Sequence, residues 1–128
     1  MSRRILLTGA LMAAIAVILG AFGAHGLKKV LDVAELEIWA KGVEYQFYHA
    51  FALLFLSQWK TEQTKLQNMA YWFFSIGILF FSGSLYLLST RTLLDLSFAR
   101  FIGPITPVGG LLFILGWCSV FLAALKSK

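Results

Sequence analysis

Charge and hydrophobicity are segregated along this chain. Residues 5–24, 47–59, 69–88 and 108–125 contain no Asp, Glu, Lys or Arg, and every charged residue lies between or outside these stretches. A helix needs about 20 apolar residues to cross ~30 Å of hydrocarbon, and most of the stretches are near that length. None shows the polar–apolar alternation of a strand. In lipid, only a closed barrel of many more segments would satisfy strand backbones. The pattern predicts an all-α integral membrane fold: a four-transmembrane-helix bundle with spans at about 5–24, 43–59, 69–88 and 107–125. The whole chain, 1–128, reads as a single domain.

Within span one, Gly9, Ala13, Ala16, Gly20 and Gly23 recur at three- and four-residue steps. That puts small side chains on one face, where membrane helices approach closely. Gly23 and Gly26 suit a helix end in left-handed conformation. In residues 27–42, Leu27, Leu31, Ala34 and Ile38 fall at helical spacing against Lys28, Asp32, Glu35 and Lys41. This predicts a short amphipathic interfacial helix between spans one and two, with a loop holding a short helix as the alternative. Trp39 would sit at the interface, and Glu37 would pair with Lys41.

Residues 47–59 are too few to cross alone, so span two must start earlier and draw Glu44, Tyr45 and Gln46 into the interface. Span three carries a polar stripe, Ser75, Ser82, Tyr86 and Ser89, suited to bonding between helices. Gly77 and Gly83 permit close approach on adjoining faces. For span four, Thr106 reads as an N-cap and Pro107 as the first helical residue. Gly116, Ser119 and Ala123 form its small face.

Composition agrees. Of 128 residues, 59% are hydrophobic and 13% charged, with a mean hydropathy of +0.80; soluble domains carry about 25% charged residues. The net charge of +5 is spread beside the apolar runs, which points to topology and lipid headgroups and away from nucleic acid. The one cysteine, Cys118, can form no internal disulfide and reads as a buried thiol. Arg3 and Arg4 resemble the start of a signal peptide, but the apolar run after them is long enough to be retained as a span. Four spans put both termini on one side, with six basic residues there against five opposite, a balance that favours cytoplasmic termini.

Alternating directions would gather His25, Glu44, Tyr45, Gln46, His49, Tyr86, Ser89 and Thr106 at one membrane face. The free N–H groups of Val108, Gly109 and Gly110 would join them and favour an anion. Ionisable residues within a membrane mark function by default. The chemistry fits a pocket for a lipid headgroup or a quinone; the plainer account is that these groups bond to backbone, water or one another. Two histidines without i,i+3 or i,i+4 spacing make weak metal or haem ligands, so no metal or cofactor is expected. No nucleophile–base pair is spelled out. The expectation is a non-enzymatic protein with a structural, membrane-integrity, lipid-binding or partner-binding role. Membrane lipids are its expected partners, along with a second copy or another membrane protein. A small transporter or channel subunit is the alternative, although four-helix multidrug exporters need an acid in the first span and this one has none.

Four motifs occur in order: Gly20-Ala21-Phe22-Gly23-Ala24-His25-Gly26-Leu27, Tyr45-Gln46-Phe47-Tyr48-His49-Ala50, Phe81-Ser82-Gly83-Ser84-Leu85-Tyr86, and Thr106-Pro107-Val108-Gly109-Gly110 followed by Gly116-Trp117. Together they resemble a bacterial family of small inner-membrane proteins called domain of unknown function four-two-three. The resemblance covers almost the whole chain. It implies about four helices and a multi-pass place in the bacterial cytoplasmic membrane, and carries over no enzyme activity.

Overall fold

Ser2 opens the first helix, its hydroxyl accepting from the Ile5 amide at 3.4 Å. The computed structural model describes residues 2–128 and holds six α-helices among them, with no strand: α1 (Arg3–Ala24), α2 (Val33–Gln58), α3 (Thr64–Gly77), α4 (Gly83–Ser89), α5 (Ala99–Ile102) and α6 (Ile105–Lys126). A 3-10 turn, Leu27–Lys29, follows α1. A π-helical turn, Ile78–Ser82, joins α3 to α4, so these read as one helix. Three stretches are long and apolar enough to cross a membrane: Arg3–Lys29, Thr64–Ser89 and Ala99–Lys126.

The long helices lie in chain order, each packed chiefly on the next: α1 on α2, α2 on the π turn and α4, and α3 on α6. Small residues set the spacing. An added Cβ on Gly9 would come within 3.2 Å of the Ala50 carbonyl, and one on Gly23 within 2.6 Å of the Trp39 ring. Ala16 is fully buried and Ala13 half-buried in the same seam. Gly77 faces Phe113, Gly116 faces Phe74, and an added Cβ on Gly109 would overlap the Phe81 backbone. Gly83, expected to be a packing glycine, faces open space.

Ser2 meets the last turn of α2, and the C-terminus meets the 59–63 connection that follows it. The Ser2 amide donates to the Ser57 carbonyl at 3.2 Å, Thr61 and Ser127 share a 2.8 Å hydrogen bond, and the Lys128 amide donates to Glu62 at 3.0 Å. Connections 25–32 and 90–104 lie at the opposite end.

Several expectations are corrected. No separate interfacial helix stands before span two. Asp32 and Glu35 form a reciprocal capping box, at 2.8 and 3.0 Å, and from it α2 runs unbroken for 26 residues. A cap this complete starts the helix at Val33, and nothing afterwards ends it. Trp39 is buried, not interfacial, its indole N–H donating to the Leu19 carbonyl at 2.9 Å. Lys41 pairs with Glu44, at 3.3 Å, not with Glu37. Gly26 is right-handed (φ −66), α1 ends on His25 (φ −116), and no described glycine has positive φ. Helix α6 starts at Ile105, so Thr106 and Pro107 lie inside its first turn, where proline's missing N–H costs nothing. The amides of Val108, Gly109 and Gly110 therefore belong to the α6 ladder and are not free for an anion. Cys118 is exposed on the outer face of α6.

Candidate functional site

The residues expected to converge divide into three places. His49, only 3% exposed, sits on α2 deep between the helices. Its ring stacks on Phe113, centroids 3.5 Å apart and planes within 5°, with Phe74 at 5.4 Å. The Trp117 indole N–H donates to His49 Nε2 at 3.1 Å, and Nδ1 lies 2.8 Å from the Tyr45 carbonyl. Indole is a donor only, so Nε2 must accept. The ring proton then sits on Nδ1 and is donated to Tyr45, which defines a neutral imidazole with both nitrogens occupied. Such a ring has no lone pair left for a metal or for a proton-abstracting role.

Gln46, one turn earlier, ties three helices together. Its amide N–H donates to the Met12 carbonyl of α1 at 2.8 Å, and its carbonyl accepts from the Tyr86 hydroxyl of α4 at 2.6 Å. The Tyr86 ring lies over Gly42, where an added Cβ would be 2.8 Å away, and against Trp39 at 4.7 Å. Ser82, on the π turn, donates to the Gly42 carbonyl at 2.7 Å. Ser89 turns back onto the Tyr86 carbonyl at 3.0 Å, and Thr106 meets Ser84 at 2.6 Å. Hydrogen bonds of this kind within a membrane average about 0.6 kcal/mol and reach roughly 2.

Glu44 faces outward, paired with Lys41 and accepting from the Tyr48 hydroxyl. His25 is exposed past the end of α1 and is not among the residues lining either cleft beside α2. The expected pocket shared by His25, His49 and Tyr86 is therefore not formed. The α2 and α6 backbones stand apart and touch only through side chains such as His49, Phe113 and Trp117, and beside that contact lies an aromatic cleft of about 680 Å³, lined by Tyr45, Tyr48, Phe81, Phe113 and Trp117 with His49 at its floor. Gly110 and Pro107 form part of its α6 wall. A second cleft, of about 460 Å³, lies between the end of α1 and the first half of α2, lined by Gly20, Gly23, Trp39 and Val43 with Lys28 and Glu44. Both are walled almost wholly by apolar side chains, unlike the polar pocket expected.

Phe113 and Trp117 are the site residues that the sequence reading left out. Their signal was an indole N–H in the middle of an apolar run, which needs an acceptor when buried; His49 supplies it.

The profile of the family described as "Protein of unknown function (DUF423)" matches residues 19–110. The chain is 44% identical over 121 residues to a UPF0382 membrane protein of Staphylococcus epidermidis, covering 94% of each chain. It is 40% identical to the UPF0382 membrane protein YwdK of Bacillus subtilis, covering 94% of this chain and 95% of the relative. It is 39% identical to a UPF0382 membrane protein of Haemophilus influenzae, covering 88% and 86%. No solved structure matches. With an all-helical fold, three stretches apt for crossing a membrane and relatives matched nearly end to end, the chain belongs to the DUF423 family of membrane proteins.

Proposed function

We propose that this protein is a non-enzymatic organiser of the bacterial inner membrane. It crosses the bilayer four times with both termini in the cytoplasm, and its aromatic cleft holds the hydrocarbon part of a membrane amphiphile, a lipid or a quinone. The observation that carries the reading is His49. The most chemically capable side chain within the helices has both nitrogens engaged by Trp117 and Tyr45. Gln46, Tyr86 and Ser82 are engaged in the same way. These groups act as joints between helices, and the cleft beside them offers ring faces and methyl groups.

The fourth crossing is argued from α2. Its 26 residues extend about 39 Å, enough for the hydrocarbon core. It is less apolar than the other three because it carries Glu44, Gln46 and His49. Gln46 and His49 are hydrogen-bonded inside the protein, which offsets the penalty of taking them into lipid. Glu44, the twelfth of the 26 residues, pairs with Lys41 at 3.3 Å and accepts from the Tyr48 hydroxyl, which offsets its charge.

Native mass spectrometry of the full chain from mild detergent tests the binding reading. The wild type should leave the micelle with a lipid or quinone attached. Gly110→Leu puts a side chain into the cleft wall, where an added Cβ would be 3.8 Å from Phe81. It should weaken retention about tenfold, equivalent to ~1.4 kcal/mol. A bare protein in both cases contradicts the reading.

A further inference from the structure

The two ends of the molecule are unlike. At the end with the termini, the connection is short and polar, with Lys60, Glu62 and Gln63. At the other end, residues 90–104 carry large apolar side chains that are not covered: Leu93 is 46% exposed, Leu94 57%, Phe98 49% and Phe101 63%. The segment is nevertheless folded on itself. Leu94 and Leu96 amides donate back to Thr90 and Arg91 carbonyls at 2.9 and 2.8 Å. Asp95 takes a left-handed turn (φ 52) between Leu94 and Phe98. Ile102 of α5 is buried against the α4–α6 junction, while Phe101 and the N-cap residue Phe98 are exposed. The outer side of this strap is therefore an apolar surface.

We propose that residues 90–104 are embedded in the membrane interface of the leaflet opposite the termini, with Leu93, Leu94, Phe98 and Phe101 among the upper acyl chains and Arg91 and Arg100 at phosphate level. Charge argues for lipid as the occupant. Arg91 precedes the apolar residues and Arg100 lies among them, Asp95 is the only acid of the segment, and anionic phosphates lie at headgroup depth. The Arg100 guanidinium lies over the Phe101 ring, 4.8 Å from its centroid. A basic head on an aromatic body is the pairing that anchors at headgroups. Continuity argues the same way, because the strap joins two stretches fit to cross the bilayer, and exposed Leu87, Ile105 and Val108 carry the apolar surface up to it from below. The strap then fixes how deep α4 and α6 sit and covers the lipid beneath it, a role beyond the cleft. It rests on the membrane placement of α4 and α6, not on what the cleft binds.

Site-directed spin labelling of the full chain tests this in vesicles of phosphatidylethanolamine and phosphatidylglycerol. In a Cys118→Ser background, single cysteines replace Leu94, Phe98 or Phe101. Glu62→Cys serves as the aqueous reference and Phe121→Cys, 66% exposed on α6, as the lipid reference. The three strap sites should be more accessible to dissolved oxygen than to a water-soluble nickel chelate, as at Phe121, with Glu62 the reverse. Arg91→Gln combined with Arg100→Gln should raise nickel access at Leu94 and Phe101. Strap sites that behave like Glu62 overturn the proposal. So do strap sites shielded from both reagents, which would mean a protein partner or second copy covers them. An aqueous Phe121 site would instead remove the membrane placement of α6 itself, and the proposal with it.

Discussion

His49 and Trp117 show how a polar residue is made acceptable inside an apolar assembly. The indole N–H and the imidazole lone pair satisfy each other at 3.1 Å, and the Phe113 ring covers the imidazole face. His49→Phe keeps a flat ring for the stack but leaves the Trp117 donor without an acceptor. The expected loss is about 1–3 kcal/mol, read from denaturant unfolding in detergent. Trp117→Phe removes the orphaned donor, so the double variant should lose less than the sum of the two, with coupling above ~0.5 kcal/mol. Additive losses would show that the bond contributes nothing. The sequence marks His49, Gln46 and Tyr86 as unusual in a hydrophobic setting and leaves two readings open, a ligand pocket or bonds to backbone, water and one another. Beyond the Tyr45 carbonyl one turn back from His49 and the bond between Gln46 and Tyr86, their partners are a ring 68 residues away and the backbone carbonyl of Met12. Neither has a local signature, so the residues were legible as special but their purpose was not.

At the scale of helices, glycine position separates contact from vacancy. Gly109→Ala would drive a methyl group into the Phe81 backbone, 2.7 Å from its Cα, and α6 would have to shift. Overpacking of this kind costs about 1–3 kcal/mol. Gly83→Ala meets nothing within 4 Å and should be neutral or stabilising, by up to ~1 kcal/mol from helix propensity alone. Thermal unfolding of the two variants checks the contrast, and equal effects would contradict the packing described. The small-residue stripe of α1 was legible because five residues at one spacing define a face whatever packs on it. Gly83 was misjudged because spacing names a face and not its neighbour. The start of α2 escapes the sequence pattern for a different reason: Asp32 and Glu35 fit the polar side of a separate helix, whereas their spacing also forms a capping box that begins the long one. The π turn has no sequence signal that we identified; it places Ser82 against Gly42 and Phe81 against Gly109.

For the whole molecule, the meeting of Ser2 with the end of α2 and of the C-terminus with connection 59–63, and the placing of connections 25–32 and 90–104 at the other end, follow from four long helices that reverse direction three times. The all-helical fold and the three longest apolar helical stretches were legible from the charge-free runs, and their seams partly so. The aromatic cleft was not, because it arises from the α2 and α6 backbones standing apart on either side of the π turn, a spatial fact with no trace in a linear pattern. The proposed function depends on α2 crossing the bilayer despite Glu44, Gln46 and His49. Accessibility labelling of single cysteines at Lys29, Glu62 and Asp95 with an impermeant maleimide, in intact and opened vesicles, tests that crossing most directly. The account predicts that Lys29 and Asp95 sites react from one side and the Glu62 site only from the other. A Lys29 site that reacts from the same side as Glu62 would mean that α2 does not cross, and would contradict it.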